Sequence, residues 1–220
     1  NYVDMTDLAD MHGFILVYPQ GLPLGDDASH WNFDPVGGDN KSPVDDFGFF
    51  ETLIDELSNN YQIDNDRFYA AGFSNGAVFA FGLACYQSEN IAAIVSVSGS
   101  MSPSHGENCN PQHPTPVMSI HGTADYEINY QGGLYLSMEE VTDYWTLFNE
   151  TQTSHPAETE TDKGFIIEKF SFTQGNNGSK VDHYKVNGGD HDWLAINFNG
   201  QNTEQLIWNF VSSFDINGAR

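Results

Sequence analysis

Basic residues are scarce in this chain. Lys and Arg together number 7 against 31 Asp and Glu, which gives a formal net charge of −24 at pH 7. Nucleic acids and anionic membranes both attract positively charged protein surfaces, so this balance argues against either as a partner. The acidic residues are spread along the whole chain, which predicts a solvated acidic surface and favours a neutral or weakly charged substrate.

Long hydrophobic runs are also missing. No apolar stretch reaches the roughly 18 residues that span a bilayer, and the N-terminus lacks a basic segment followed by an apolar one. If the protein is exported, we expect its signal peptide to have been removed before Asn1. A chain of 220 residues can build one large hydrophobic core, so we predict a single domain over residues 1–220.

Only two cysteines occur, Cys85 and Cys109. A disulfide that closes a loop of this length contributes about 3 kcal/mol in the chain-entropy model, and we predict this pair; two unpaired buried thiols are the alternative. A disulfide favours an oxidising compartment, secreted or periplasmic. Cys109 also has metal-like spacing with His105 and His113, but this polar segment is expected to be a loop without a fourth ligand. We therefore expect no metal and no other cofactor.

Short apolar runs alternate with segments of helical periodicity, which is typical of an α/β fold with parallel strands joined by helical crossovers. Strands are predicted at residues 14–18, 67–71, 92–97, 117–121, 165–172 and 181–186. Helices are predicted at residues 47–61, 76–85, 138–148 and 203–214. Asp45 and Asp46 are placed to cap the first helix, and Ser137 with Glu140 forms a capping box for the third. The polar stretch 149–163 is predicted to be a surface loop.

One of these strands leads directly into a helix through the pentapeptide Gly72-Phe73-Ser74-Asn75-Gly76. A serine at such a turn is held in a strained backbone conformation with its hydroxyl exposed at the helix N-terminus, as a nucleophile requires. Glycine two residues to either side is expected to let strand and helix approach each other. The backbone N–H of Asn75 is then placed to stabilise a developing oxyanion.

A serine hydroxyl becomes nucleophilic when a histidine takes its proton and a carboxylate orients that histidine. In α/β-hydrolase order the acid and then the histidine follow the serine, each after a later strand. Asp125 follows the strand at 117–121, and His191 follows the strand at 181–186. The alternatives are a turn or cap role for Asp125 and a surface role for His191.

Other histidines lack that context. His121 and His183 lie within or at the end of strand patterns, where structural hydrogen bonding is the expected role. Asp190 and Asp192 flank His191, and together with the net charge of −24 they should favour its imidazolium form. We therefore predict that the rate of hydrolysis rises only as the medium becomes neutral to alkaline.

Several blocks resemble the polyhydroxybutyrate depolymerase and feruloyl esterase type of secreted α/β-hydrolase. They occur in the order of that family and cover residues 9–214; they are Gly13-Phe14-Ile15-Leu16-Val17-Tyr18-Pro19-Gln20-Gly21, Asp45-Asp46-Phe47-Gly48-Phe49, Gly72-Phe73-Ser74-Asn75-Gly76, His121-Gly122-Thr123-Ala124-Asp125 with Tyr130-Gln131-Gly132-Gly133, and Gly188-Gly189-Asp190-His191-Asp192-Trp193. The resemblance implies an α/β-hydrolase fold, a mostly parallel central sheet flanked by helices. It also implies Ser74 as nucleophile, His191 as general base and acid, Asp125 as orienting carboxylate, and a Cys85–Cys109 bridge.

The chain departs from the family pattern in two places. Family members carry upstream strands and a strand-end His-Gly loop that gives a second oxyanion donor, whereas His12-Gly13 here precedes the strand at 14–18. We therefore expect a domain that lacks the first strands of the family and is N-terminally incomplete; the alternative is an incomplete oxyanion hole. The family's Trp-Pro-Gly after the histidine is here Trp193-Leu194-Ala195, so the family's loop shape and acyl-group preference are not carried over to this chain.

The resulting hypothesis is a serine carboxylesterase that hydrolyses small acyl or feruloyl esters, free or linked to polysaccharides, through an acyl-enzyme. Trp31 and Trp193 are predicted to line the substrate pocket, with plain packing as the alternative. The alternative functions are a polyhydroxyalkanoate depolymerase, a serine peptidase and a non-catalytic esterase-like binding domain. The sequence makes no prediction of the oligomeric state.

Overall fold

A mixed β-sheet forms the centre of the protein. The computed structural model describes residues 3–25 and 29–220. Among these residues seven strands belong to the sheet: β1 (Tyr69–Phe73), β2 (Ala93–Val97), β3 (Val117–Gly122), β4 (Thr153–Ser154), β5 (Glu158–Asp162), β6 (Phe165–Thr173) and β7 (Val181–Asn187). Their order is β1-β2-β3-β7-β6, and β4 and β5 both pair with β6. The predicted α/β fold with a mostly parallel sheet is confirmed.

Strand β6 runs against the rest of the sheet. Strands β1, β2, β3 and β7 pair in parallel, whereas β6 pairs antiparallel with β7, β5 and β4. Only residues 174–180 connect β6 to β7, which is too short for a parallel crossover of a dozen or more residues. The expectation that the strands joined by crossovers are parallel is therefore wrong for β6.

Helices cover both faces of the sheet. They are α1 (Thr6–His12), α2 (Asp46–Asn60), α3 (Asn75–Tyr86), α4 (Pro103–Asn108), α5 (Met138–Phe148) and α6 (Thr203–Val211). Apolar residues of α2, α3 and α5 pack in one core cluster with Ile94 of β2. Those of α6 pack in a second cluster with Ala93, Val95 and Val97, which point to the other face of the sheet. Two small hairpins, β8–β9 (Asn197–Phe198, Gln201–Asn202) and β10–β11 (Phe214–Asp215, Gly218–Ala219), lie beside α6 in the sequence.

The helix caps follow the sequence closely. The Asp45 carboxylate accepts the Gly48 N–H at 2.9 Å at the start of α2. Ser137 and Glu140 form the predicted capping box at the start of α5. The last helix is shorter than the predicted 203–214, because α6 ends at Val211 and Phe214 begins the hairpin strand β10. His105, expected in a loop, lies in α4, which Ser102 caps with its own capping box.

The predicted strand at 14–18 is absent from the described residues. These residues form no ladder, and Ile15 and Val17 remain exposed. Phe14 and Leu16 pack against the core, and the Phe14 ring stacks on Trp208 at a centroid distance of 4.1 Å. An apolar run becomes a strand only when its backbone groups find a partner, and no described strand lies beside this run.

The stretch 149–163 is not the predicted loop. It contains β4 and β5, and β5 pairs with β6 through a tight turn at Lys163 and Gly164, both of which have positive φ. Thr and acidic side chains make β5 polar on both faces, which conceals it from a search for apolar alternation and suits an exposed sheet edge.

A cavity of about 880 Å³ runs along β1. In the described part of the chain β2 is the one strand that pairs with β1, so β1 is an edge strand. Leu53, Leu57 and Trp208 line the cavity from the helices, and Leu16 lines it from the segment that precedes α2. Ser74 also lines this cavity, so the cavity extends to the turn between β1 and α3.

Among the described residues, none of the helices has the length and apolar character needed to cross a bilayer.

Candidate active site

Ser74 lies at the turn between β1 and α3. Its backbone has φ 54° and ψ −124°, a region that side-chain-bearing residues rarely occupy. The surrounding backbone keeps it there, because the Ser74 N–H donates to Val97 O at 3.1 Å and the Ser74 carbonyl accepts from the N–H groups of Ala77 and Val78. The predicted strand-to-helix turn therefore has the geometry that exposes a serine hydroxyl.

Gly72 makes this turn possible. A Cβ on Gly72 would lie 2.1 Å from the carbonyl oxygen of Gly76, where the first turn of α3 passes over β1. Gly76 differs, because a Cβ there would meet nothing within 4 Å. The expectation that both glycines are needed for close approach is therefore wrong for Gly76, whose backbone rather than missing side chain makes the contact. Gly99, which follows β2, also packs closely against this turn, since a Cβ at Gly99 would lie 2.3 Å from Ala77 Cβ.

The structure brings Ser74, His191 and Asp125 together. His191 Nε2 lies 2.8 Å from Ser74 Oγ. On the other side of the ring, His191 Nδ1 lies 3.0 Å from Asp125 Oδ1 and 2.9 Å from Asp125 Oδ2. The Asp125 side chain is buried, and the His191 side chain is 13% exposed. This order of contacts is that of a nucleophile, a base and a carboxylate that orients the base.

Neighbouring strand ends hold the acid and the histidine in place. β3 and β7 are adjacent parallel strands, so the loops that follow them leave the same edge of the sheet. Gly122 permits contact between the loops, because its Cβ would lie 2.2 Å from Gly189 O. The Ala124 N–H donates to Gly189 O at 2.8 Å, and the Gly188 N–H donates to Thr123 Oγ1 at 2.9 Å.

Hydrogen bonds keep the Asp125 carboxylate ionised. Burial alone would raise the pKa of Asp125, but hydrogen bonds from His121, His191 and the Ile128 N–H outweigh it and lower that pKa to about 2. Asp125 Oδ1 accepts the N–H groups of Glu127 at 2.9 Å and Ile128 at 2.8 Å. The carboxylate therefore carries its negative charge throughout the neutral range, as a partner of a histidine base must.

Asn75 follows Ser74 and has two features of interest, its backbone N–H and its side-chain amide. It is the first residue of α3, and the first N–H groups of a helix have no acceptor within that helix, so the Asn75 N–H is a candidate donor to an oxyanion at Ser74. Its side-chain amide accepts the Trp31 N–H at 2.7 Å and donates to Trp31 O at 2.9 Å. This pair of bonds holds residue 31 beside the candidate nucleophile. Sequence reasoning missed it, because 44 residues separate the partners and no local pattern marks them.

The two tryptophans differ in their surroundings. Trp31 is half-buried, lines the cavity that reaches Ser74, and stacks on Phe79 at a centroid distance of 5.1 Å. Trp193 is 7% exposed, belongs to the hydrophobic core, and donates its indole N–H to Glu204 at 2.9 Å. The geometry favours the packing alternative for Trp193, although it also lines the cavity. A substrate-binding role for either residue stays a prediction.

Cys85 and Cys109 form a disulfide with a Cα–Cα distance of 4.5 Å. It joins the end of α3 to the residue that follows α4. Because Cys109 is oxidised in this bond, it offers no thiolate that could join His105 and His113 around a metal. Within residues 3–25 and 29–220 no group of three His, Cys, Asp or Glu side chains has the arrangement of a metal site.

The fold and this site define an α/β-hydrolase. A search of protein families matches residues 28–163 to the family described as phospholipase/carboxylesterase, so the chain belongs to this family of carboxylic ester hydrolases. The resemblance to α/β-hydrolase esterases that the sequence motifs indicate is thereby confirmed.

Curated relatives carry esterase names. A bifunctional acetylxylan esterase/xylanase of Neocallimastix patriciarum is 27% identical over 217 residues, 96% of this chain and 28% of that protein. Feruloyl esterase B of Piromyces equi is 26% identical over 218 residues, 93% of this chain and 37% of that protein. Feruloyl esterase D of Neurospora crassa is 27% identical, and the match covers 97% of this chain and 67% of that protein. The chain thus spans only about a third of the length of the first two relatives.

The fold also has a counterpart among solved structures. An acetyl xylan esterase from Aspergillus awamori superposes with a TM-score of 0.66 over 94% of this chain and 80% of that one, at 15% sequence identity. At this identity the match supports the fold alone.

Proposed function

We propose that this chain is a serine carboxylesterase that works through an acyl-enzyme. The observation that supports this most directly is the 2.8 Å contact between Ser74 Oγ and His191 Nε2, with Asp125 on the far side of the ring. Ser74 Oγ attacks the ester carbonyl carbon while His191 Nε2 takes the hydroxyl proton, and Asp125 stabilises the imidazolium that forms. The Asn75 N–H stabilises the oxyanion.

The second half of the reaction uses the same groups. When the tetrahedral intermediate collapses, the bond from carbon to the alcohol oxygen breaks and His191 donates its proton to the leaving alcohol. A water molecule then attacks the acyl-serine as His191 takes a proton from it. The acid is released and Ser74 regains its proton from His191, so the enzyme returns to its starting state.

The proposed substrates are small acyl or feruloyl esters, free or attached to plant polysaccharides. The names of the acetylxylan and feruloyl esterase relatives support this class, at identities of 26–27%. The net charge of −24 supports a neutral substrate over a strongly anionic one. The Cys85–Cys109 disulfide supports a secreted or periplasmic protein, because such bonds persist mainly in oxidising compartments.

We further propose that the domain of residues 1–220 takes one more extended segment beside β1. The Ser74 N–H points to β2, so by alternation along the strand the backbone groups of Tyr69 and Ala71 point to the cavity, where a strand could bond to them. A strand parallel to β1 would end near Ser74 and could supply a second oxyanion donor. One such donor is worth about 10² to 10³ in rate, so a form of the domain in which this place beside β1 is filled should exceed the 220-residue chain by that factor.

The test is hydrolysis of p-nitrophenyl acetate and methyl ferulate by the wild type, Ser74→Ala and the control Ser213→Ala, whose serine is exposed and far along the chain. We expect Ser74→Ala to lower kcat/KM by at least about 10³-fold on any ester cleaved and Ser213→Ala to leave it unchanged. The ratio of the two esters defines the preferred acyl group. A matched p-nitroanilide measures any peptidase activity.

A reactive fluorophosphonate provides a second readout. It should label Ser74 in the wild type, as judged by peptide mass spectrometry, because labelling needs an activated serine. Absence of both labelling and turnover would overturn the esterase proposal and favour a non-catalytic binding domain. Faster cleavage of the anilide than of the matching ester would favour a peptidase.

A further inference from the structure

His121 is buried at the end of β3, four residues before Asp125. It has no exposed surface, and three oxygen atoms surround its imidazole ring. Nε2 lies 2.8 Å from Ile128 O and 3.3 Å from Asp125 Oδ2. Nδ1 lies 3.2 Å from Gly99 O, in the loop that follows β2.

The contacts of Nε2 determine its protonation. A carbonyl oxygen and an ionised carboxylate only accept hydrogen bonds, so Nε2 must carry a proton and donate it. Ile128 in turn donates its N–H to Asp125 Oδ1 at 2.8 Å. His121, Ile128 and Asp125 therefore form a closed ring of contacts that restrains both oxygens of the carboxylate.

This ring leaves the carboxylate in one orientation. Asp125 Oδ2 faces His121 Nε2 on one side and His191 Nδ1, at 2.9 Å, on the other. Rotation of the carboxylate would break the contact with His121 and the bonds to the Glu127 and Ile128 N–H groups together. The sequence interpretation of His121 as a structural residue of the strand end omits this link to the triad acid.

We propose that His121 is a positioning residue for catalysis, which holds the Asp125 carboxylate against His191 Nδ1 and thereby aims His191 Nε2 at Ser74. The proposal rests on the triad of the proposed function. The electrostatics agree with this geometry, because burial raises the pKa of Asp125 whereas hydrogen bonds from His121 and His191 lower it.

A second buried histidine offers a matched control. His105 is also fully buried, and its Nε2 lies 2.7 Å from Phe33 O and 3.7 Å from Asp34 Oδ1. Its Nε2 thus faces one carbonyl and one carboxylate, as Nε2 of His121 does, but its carboxylate does not touch His191, Ser74 or Asp125. A variant at this position removes a comparable set of contacts without touching the triad.

The experiment compares His121→Leu, His121→Gln and His105→Leu with the wild type. The glutamine amide nitrogen can occupy the place of the imidazole Nε2 and donate in its stead. We expect His121→Leu to lower kcat about 10- to 100-fold with little change in KM, less than the roughly 10⁴-fold effect of disabling the carboxylate itself. His121→Gln should recover most of this loss, and His105→Leu should keep kcat within about threefold of wild type.

A proton NMR measurement tests the proposal without turnover. The His191 Nδ1 proton shared with Asp125 should give a resonance far downfield in the wild type, and Asp125→Asn identifies it by removing it. We expect the resonance to move upfield or broaden in His121→Leu and to persist in His121→Gln and His105→Leu. An unchanged resonance in folded His121→Leu would overturn the positioning role. If the wild type shows the resonance but cleaves no ester, the proposed function fails while the positioning result stands.

Discussion

At the scale of single residues, the charge of Asp125 links the candidate active site to the stability of the fold. Burial opposes ionisation, but the hydrogen bonds of His121, His191 and the Ile128 N–H lower its pKa from 3.8 to about 2 in the folded state. A carboxylate whose pKa falls on folding stabilises the protein above its unfolded pKa. That contribution is lost as the pH falls through the folded pKa, because the unfolded chain then binds the proton first.

Asp125→Asn should therefore make the free energy of unfolding depend less on pH in the acid range. We expect the difference in unfolding free energy between wild type and variant to be constant above about pH 5 and to shrink between pH 4 and 2. Urea denaturation followed by fluorescence at intervals of half a pH unit measures it. A difference that stays constant down to pH 2 would show that the carboxylate has an ordinary pKa.

The sequence predicts some residues of the site and not others, for a physical reason. Ser74, Asp125 and His191 each follow a strand, and the carboxyl ends of parallel strands lie at one edge of the sheet. The motif around Ser74 and the α/β-hydrolase order of acid and histidine therefore predict that these candidate residues lie close together. The partners of these residues come from packing at long range. Neither the bond between Asn75 and Trp31 nor the contact between His121 and Gly99 leaves a local pattern.

At the scale of elements, the turn between β1 and α3 depends on one glycine more than on the other. Gly72→Ala would place a Cβ 2.1 Å from Gly76 O, which is backbone and cannot rotate away. The Cβ of Gly76→Ala would meet nothing within 4 Å, and position 76 lies in the first turn of α3, where alanine is favoured over glycine by less than the roughly 1 kcal/mol of a helix interior.

The two alanine substitutions should therefore change the stability of the protein in opposite directions. We expect Gly72→Ala to destabilise the protein by several kcal/mol, or to displace Ser74 and abolish fluorophosphonate labelling, on the scale of overpacked sites. Gly76→Ala should retain labelling and match or exceed the stability of the wild type. Thermal denaturation together with labelling measures both, and equal losses in the two variants would contradict this account of the turn.

Elements with local signals were predicted well, and those without them were not. The caps at Asp45 and Ser137 mark α2 and α5, since these side chains bond to backbone groups within three residues. The run at 14–18 has strand composition, but forming a strand requires a neighbour that composition does not supply. Strand β5 is the opposite case: it has a strand neighbour, β6, but its polar residues lack the apolar alternation that would predict a strand. The direction of β6 depends on the length of a connection rather than on its own residues.

At the scale of the whole molecule, negative charge far exceeds positive charge. The formal net charge is −24, and several cations are already paired in the structure. Lys169 and Lys180 both lie within 4 Å of Asp182, at 3.7 and 3.1 Å, and Lys185 pairs with Glu168 at 2.9 Å. Most carboxylates must therefore repel one another across the surface. This repulsion opposes the compact state and weakens as salt shortens the screening length.

The protein should accordingly gain stability from salt. Raising sodium chloride from about 0.05 to 1 M shortens the Debye length from more than 10 Å to about 3 Å, and we expect Tm to rise by roughly 2–8 °C, which corresponds to about 1–2 kcal/mol. Choline chloride serves as the control, because a bulky cation screens equally but binds carboxylates poorly. Equal gains with both salts indicate screening, and a larger gain with sodium indicates cation binding at the surface. A Tm that falls with either salt would show that the paired lysines contribute more to stability than the repulsion removes. Because Asp125 and His191 lie in a largely buried site, where salt screens charges weakly, their contact should persist across the whole range.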